Sequence, residues 1–274
     1  MTTETKASLP IGVFDSGVGG LSVLKQLITA MPNESFIYLG DTARVPYGTK
    51  SADTVVNYSV QICETLVKRG IKMLIVACNT ATCLALDELQ KHFPDIPVIG
   101  VLEPGVKLAV AKTSNEHIAV IATEATISSK GYQSNIDKAL PGAKITTQVC
   151  GLFVALVEEG FHQDEVAQLV AKHYLQEMFL TANAPDTLIL GCTHFPLLNQ
   201  VIQSVIPQTV TVIDSAKAIS QVVKSFLVEN NCVNPQSADQ VKIKILVTDS
   251  PKRFAMIADR FIAMPLEVEL IDII

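Results

Sequence analysis

Short apolar runs rich in β-branched residues alternate with segments of helical periodicity along almost the whole chain. Ten such runs predict strands at residues 11–14, 36–39, 73–77, 98–101, 118–121, 145–149, 187–190, 210–213, 243–247 and 268–271. Between them, apolar residues recur on one helical face, as at Val55, Ile62 and Leu66. Strands that are joined through helices lie parallel in a sheet that the helices cover. The alternation therefore predicts an α/β protein with mostly parallel sheets.

The composition agrees with buried parallel strands. Hydrophobic residues make up 49% of the 274 residues, aromatic residues make up 5% and tryptophan is absent, so the core is mainly aliphatic. The net charge is −6 and no basic cluster is found, which argues against a nucleic-acid partner. No run approaches the roughly 18 apolar residues of a membrane span, and residues 1–10 contain no apolar signal segment. We therefore expect a cytoplasmic protein.

An internal repeat predicts two related domains. The matching pairs of segments keep the same order at a nearly constant offset: 11–16 with 118–123, 74–80 (LIVACNT) with 188–194 (LILGCTH), and 94–101 with 207–214. We predict a first domain of residues 1–101 plus 214–274 and a second domain of residues 102–213. Each domain would place one cysteine, Cys78 or Cys192, at the carboxyl end of a strand, where open parallel sheets bind ligands.

These two cysteines differ from the other four in their setting. None of the six shows the paired spacing typical of a disulfide framework, so the sequence indicates reduced thiols. Cys78 precedes a predicted helix for which residues 79–80 offer caps, and Cys192 precedes Thr193 and His194. A helix N-terminus lowers the pKa of a thiol, and a histidine can take its proton. Either cysteine alone could be a small buried hydrophobe, but the matched pair indicates acid/base groups.

Two further loops leave the carboxyl ends of predicted strands. Residues 15–20 (DSGVGG) are typical of either an anion-binding turn or a tight turn, and Asp15 could orient an ammonium group or assist a thiol. Residues 40–48 include Tyr47 and Gly48, which offer a hydroxyl and an unobstructed amide. In the same loop, Arg44 could clamp a carboxylate or form a structural ion pair. No spacing of cysteine and histidine matches a zinc signature, so no metal is predicted.

Together, these motifs resemble those of the cofactor-independent aspartate/glutamate racemase family. The matching segments are FDSGVGGLSV (14–23), YLGDTARVPYG (38–48), ACNTAT (77–82), ATEATI (122–127) and LGCTHFPLL (190–198). The resemblance implies two similar α/β domains related by a pseudo-twofold axis, with the active site in the cleft between them. The first two segments narrow the implied activity to the interconversion of L- and D-glutamate. The resemblance implies that this reaction needs no pyridoxal phosphate or other cofactor. It also implies that the D-glutamate serves peptidoglycan synthesis.

The resemblance further implies roles for individual residues. Cys78 would deprotonate D-glutamate with the help of Asp15, and Cys192 would deprotonate L-glutamate with the help of His194. Substrate contacts are implied for Asp15, Ser16, Tyr47, Gly48, Asn79, Thr80, Thr123, Thr126, Thr193, His194 and Glu158. Glu159 is the alternative to the last of these. We also expect a homodimer, with glutamate as the small-molecule partner and neither a membrane nor nucleic acid.

Two other functions fit the same sequence. The chain could racemise aspartate or a hydantoin, although substitutions in the substrate-contacting motifs would then be expected. It could instead be a two-domain protein that closes on an amino acid without chemistry. Exchange of the α-hydrogen of glutamate with solvent separates a racemase from such a binding protein.

Overall fold

The computed structural model describes residues 6–235, 237 and 240–273. The chain forms two parallel β-sheets flanked by helices, so the predicted α/β class is confirmed. Residues 1–5 and 274, at the two ends of the predicted first domain, lie outside the described residues.

All ten predicted strands are found. They are β1 (Ile11–Asp15), β2 (Phe36–Gly40), β3 (Met73–Val76), β4 (Val98–Gly100), β5 (His117–Ala122), β6 (Lys144–Val149), β7 (Thr187–Gly191), β8 (Thr211–Asp214), β9 (Ile243–Val247) and β10 (Val268–Leu270). The α-helices are α1 (Leu21–Ala30), α2 (Ala52–Lys68), α3 (Asn79–His92), α4 (Leu102–Lys112), α5 (Glu124–Ser128), α6 (Gly131–Ala139), α7 (Leu152–Glu159), α8 (Glu165–Leu175), α9 (Asn199–Val205), α10 (Ser215–Glu229) and α11 (Pro251–Ala258). Among the described residues, no helix combines the length and the apolar composition needed to cross a bilayer.

The two sheets repeat one topology. The first has the strand order β10-β9-β2-β1-β3-β4 and the second has the order β6-β5-β7-β8, with all neighbouring strands parallel. The order β2-β1-β3-β4 thus recurs as β6-β5-β7-β8, and β1 and β3 correspond to β5 and β7. This is the correspondence that the sequence repeat predicts. Along the chain, the four strands of the second sheet come between β4 and β9 of the first sheet, as the predicted domain order requires. The exact domain boundaries stay a prediction.

Local sequence explains where the elements are buried and where they end. Every residue of β1, β3, β5 and β7 is buried, because helices cover both faces of these central strands. The edge strand β6 is more polar and only partly buried. Helix α2 begins after Ser51, whose side chain accepts from the Thr54 amide, and it is followed by Gly70 at φ +75°.

The two halves share an apolar core. The largest buried cluster contains Val13 and Tyr38 from the first sheet and Leu188 and Leu190 from the second. Helix α10, which returns the chain to the first sheet, packs on both α1 and α4. Close packing of this shared core fixes the carboxyl ends of the two sheets relative to each other.

Candidate functional site

A cavity of about 410 Å³ lies between the two halves, at the carboxyl ends of their central strands. Ser16 follows β1, Cys78 follows β3, Thr123 follows β5 and Cys192 follows β7, and all four line this cavity. The rest of the wall consists of Gly17, Val45, Pro46, Tyr47, Gly48, Thr49, Asn79, Thr80, Glu124, Val149, Gly151, Val154, Ala155, Glu158, Gly191, Thr193 and His194. Surface grooves of about 750 and 720 Å³ are larger, but neither contains a cysteine. The cavity is therefore where the two matched thiols meet.

Cys78 is itself the N-cap of helix α3. Its sulfur accepts from the Ala81 amide at 3.5 Å, while residues 79–80, the predicted caps, form the first turn. The sulfur also lies 3.5 Å from the Ser16 hydroxyl oxygen. Burial nevertheless raises the pKa of Cys78 to about 12, and the nearby Asp15 carboxyl adds to this shift. The predicted lowering of this pKa is wrong, because removal from water outweighs the helix N-terminus.

Asp15 ends β1 and is fully buried, so it does not reach the cavity wall. Its Oδ2 accepts from the Gly17 amide at 2.9 Å, whereas its Oδ1 has no hydrogen-bond partner among the described residues. Burial raises the pKa of Asp15 above its ordinary value. Thr126, another predicted substrate contact, is also fully buried outside the wall. Neither side chain is part of the cavity wall.

Cys192 has a different set of partners. His194 Nδ1 lies 3.8 Å from the Cys192 sulfur, and His194 Nε2 lies 2.9 Å from Glu158 Oε1. Burial opposes a charge on the imidazole, but the Cys192 sulfur and the Glu158 carboxylate prevail and raise the pKa of His194 to about 10. The contact with His194 lowers the pKa of Glu158, although burial acts in the opposite direction. A protonated imidazole paired with a carboxylate thus stands beside this thiol.

The structure distinguishes the two neighbouring acids at the end of α7. Glu158 lines the cavity, whereas Glu159 is exposed and pairs with Arg253 at 2.9 Å. Arg260 donates to the backbone carbonyl of Glu158 and holds this end of the helix. Of the two alternatives left by the sequence, Glu158 is the one positioned to act on the cavity.

Hydroxyl and amide groups from both halves meet next to Cys78. The Thr80 hydroxyl oxygen lies 3.0 Å from those of Thr123 and Thr126, which are 2.9 Å from each other. Beside them, Asn79 Oδ1 accepts from the Tyr132 hydroxyl at 2.6 Å. Tyr132 was not among the predicted site residues, because a single tyrosine in a helical segment gives no signal in the sequence.

The loop after β2 is held by Asp41, which is fully buried. Asp41 accepts from the Tyr47 hydroxyl at 2.5 Å, from Arg44 Nε at 2.7 Å and from the Thr248 hydroxyl at 3.0 Å. The hydroxyl of Tyr47 is therefore engaged within the loop, although the residue lines the cavity. Arg44 adopts the second of its two predicted roles, a structural ion pair.

Two glycines let the halves approach each other closely. A Cβ atom on Gly19 would lie 2.5 Å from His194 Nδ1 and 2.3 Å from the Thr193 hydroxyl oxygen. A Cβ atom on Gly48 would lie 2.7 Å from Thr123 Cβ. The glycine-rich turn at residues 15–20 thus packs against the second half.

Sequence reasoning also missed the apolar part of the wall. Val149, Val154 and Ala155 line the cavity, but apolar residues in a strand or helix look like ordinary core positions. The other four cysteines, Cys63, Cys83, Cys150 and Cys232, lie outside the cavity wall. Within the described part of the chain, no three His, Cys, Asp or Glu side chains are arranged to hold a metal ion.

Comparison with known proteins identifies the family. Residues 11–223 match the family model described as Asp/Glu/Hydantoin racemase. The glutamate racemase of Geobacter metallireducens is 47% identical over 252 residues, 92% of each chain, and that of Chlorobaculum parvum is 44% identical over 263 residues, 96% of each chain. The crystal structure of glutamate racemase from Francisella tularensis in complex with D-glutamate matches with a TM-score of 0.91 and 37% identity, covering 97% of this chain and 98% of that one. The chain therefore belongs to the Asp/Glu/hydantoin racemase family.

Proposed function

We propose that the protein racemises glutamate by moving α-protons between the substrate and the thiols of Cys78 and Cys192. The observation that carries the proposal is that both thiols line one cavity from equivalent strand ends of the two halves. Racemisation removes a proton from one face of the α-carbon and delivers a proton to the other, so it needs two acid/base groups. The relatives named glutamate racemase, one of them solved with D-glutamate, support glutamate as the substrate.

The two thiols have different charged neighbours. With its pKa raised to about 12, Cys78 keeps its proton at neutral pH. Beside Cys192, the imidazole of His194, whose pKa is raised to about 10, lies 3.8 Å from the sulfur. In the proposed mechanism, the Cys192 thiolate removes the α-proton of L-glutamate while the Cys78 thiol protonates the opposite face. The two thiols exchange these roles when D-glutamate reacts.

The wall of the cavity supplies stabilisation for the charge that develops during the reaction. The α-proton of an amino acid is weakly acidic, and its removal places negative charge on the neighbouring carboxylate. Asn79, Thr80 and Thr193 provide amide and hydroxyl donors at the cavity. Apolar residues such as Val149 and Val154 form part of the same wall. Local donors of this kind can hold an anion on a protein whose net charge is −6.

We also propose a cofactor requirement, a location, an oligomeric state and a physiological role. No cofactor takes part, the protein acts in the cytoplasm as a homodimer, and its D-glutamate supplies peptidoglycan synthesis. This extension rests on the resemblance to the family rather than on the geometry of the cavity.

Exchange of the α-hydrogen tests the proposal directly. The purified protein is incubated in deuterated water with L-glutamate or D-glutamate, the α-proton signal is followed by NMR, and the enantiomers are separated by chiral chromatography. We expect both enantiomers to lose the α-proton and to give the same equal mixture. A protein that only binds glutamate would leave the α-proton in place.

Two controls refine this experiment. L-Aspartate and a hydantoin test the alternative racemase activities, and we expect much slower exchange with both. Exhaustive dialysis against a chelator should leave the rate with glutamate unchanged. Loss of activity on dialysis, restored by a divalent metal, would contradict the two-thiol mechanism.

A further inference from the structure

A fully buried tyrosine from the second half contacts a cavity residue of the first. The Tyr132 hydroxyl, on α6, donates to Asn79 Oδ1, in the first turn of α3, at 2.6 Å. Burial raises the pKa of Tyr132, so its hydroxyl keeps its proton and remains a donor. The contact is therefore a directed hydrogen bond from Tyr132 to Asn79.

This hydrogen bond fixes the orientation of the Asn79 amide. A side-chain amide has an acceptor oxygen at one end and two N–H donors at the other. Asn79 is 96% buried, but it lines the cavity. With Oδ1 held by Tyr132, the two N–H groups are the end of the amide left to donate to a ligand. If the amide were flipped, its oxygen would face the cavity instead and would repel an anion.

Tyr132 is itself held by close packing at the junction of the two halves. A Cβ atom on Gly191, which precedes Cys192, would lie 3.1 Å from Tyr132 Cε2. A Cβ atom on the neighbouring Gly131 would lie 2.9 Å from the Cys83 sulfur on α3. The absence of side chains at both glycines lets the Tyr132 ring lie against the ends of α3 and β7, next to both thiol-bearing segments.

We infer that Tyr132 is a positioning residue that directs the Asn79 Nδ2 donor towards a carboxylate of the amino-acid substrate. The inference rests on the proposed function, because it takes glutamate as the ligand. Negative charge on the carboxylate increases as the α-proton leaves, so a fixed donor stabilises the transition state more than the bound substrate. A donor that is free to rotate gives less of this stabilisation.

A double-mutant cycle on kcat/KM for racemisation tests the inference. Tyr132→Phe keeps the ring and removes the hydrogen bond to Asn79, so we expect a loss of about 10-fold. Asn79→Ala removes the donor itself, and we expect a loss of roughly 100-fold. Because Tyr132 acts through Asn79, the double variant should match Asn79→Ala alone. Losses that multiply to about 1,000-fold would show an independent structural role and overturn the inference.

A control and a second variant complete the experiment. Tyr174→Phe removes a hydroxyl that contacts the Leu152 amide at 3.4 Å, and its activity should stay at the wild-type level. In Asn79→Asp the Tyr132 hydrogen bond keeps its acceptor, but the N–H donors are lost. We expect this variant to bind D-glutamate at least about 10-fold more weakly by calorimetry. Wild-type affinity in Asn79→Asp would overturn the inference even if Tyr132→Phe failed to fold.

The outcomes also separate this inference from the proposed function. A wild-type protein that does not exchange the α-hydrogen of glutamate contradicts the proposed function. If the wild-type protein racemises glutamate but the losses of kcat/KM in the double-mutant cycle multiply, only the role of Tyr132 is contradicted.

Discussion

The two thiols of the cavity occupy equivalent places in the fold but lie in opposite electrostatic surroundings. Cys78 follows β3 and has a raised pKa, because it is buried beside the Asp15 carboxyl. Cys192 follows β7 beside His194, whose pKa is raised to about 10. The backbone repeat thus sets where the sulfur atoms lie, and the side chains around them give each thiol different charged neighbours. In the proposed mechanism, this difference lets a nearly symmetric site hold an acid and a base at the same time.

Removal of either thiol should have the largest effect. We expect Cys78→Ser and Cys192→Ser each to lower kcat/KM for racemisation by at least about 1,000-fold, because one face of the α-carbon loses its proton carrier. The two enantiomers have equal free energy, so each variant must lose the same factor in both directions. Circular dichroism in the far ultraviolet should show an unchanged fold.

Residual exchange of the α-hydrogen in these variants distinguishes the roles of the two thiols. Cys192→Ser retains the thiol assigned to D-glutamate, so we expect it to exchange the α-hydrogen of D-glutamate faster than that of L-glutamate. Cys78→Ser should show the reverse preference. The same preference in both variants would contradict the assignment of one thiol to each face.

Loss of the imidazole beside Cys192 should have the next largest effect. We expect His194→Gln to lower kcat/KM by roughly 100-fold, because the Cys192 sulfur loses its cationic partner. The exposed His173→Gln is the matched control and should keep wild-type activity. Equal activity in the two variants would mean that Cys192 does not depend on His194.

The same variant makes a prediction about stability. The pKa of His194 is raised in the folded protein to about 10, so protonation stabilises the fold fully below pH 6.5, and this stabilisation is lost as the pH rises through about 10. The difference in free energy of unfolding between wild type and His194→Gln should therefore be largest near pH 6 and should shrink towards pH 10. Urea denaturation at a series of pH values measures it. A difference that grows with pH would contradict the ion pair.

The two carboxyl groups of the site should respond in opposite directions, by a few degrees in Tm. Burial raises the pKa of Asp15, so its charged form destabilises the fold at neutral pH, and Asp15→Asn should raise Tm while lowering activity. The pKa of Glu158 is lowered, so its charge stabilises the fold above the ordinary pKa, and Glu158→Gln should lower Tm. Calorimetry at pH 7.5 measures both changes. A lower Tm for Asp15→Asn would show that neighbouring groups compensate the charge of the Asp15 carboxylate in the wild type.

The sequence predicted the fold more completely than it predicted the environment of the site. All ten strands and the paired topology follow from apolar runs and from the repeat, since burial in a parallel sheet leaves a local pattern. The matched thiols of Cys78 and Cys192 follow from the same repeat. The raised pKa of Cys78 does not, because the helix N-terminus is visible in the sequence whereas the degree of burial is not. The contact between Tyr132 and Asn79 joins residues 53 positions apart and leaves no local pattern.

The sequence by itself determined the α/β class, the internal repeat and the six cysteines, of which two stand at matching strand ends. Each of these depends on the order and periodicity of residues along the chain. Only the tertiary structure decided that Glu158 rather than Glu159 faces the cavity and that Arg44 forms an ion pair with Asp41. It also decided that Cys78 and Cys192 lie in unlike electrostatic surroundings. The physical reason is that burial and charge at a site are sums over neighbours from many parts of the chain, and folding alone brings those neighbours together.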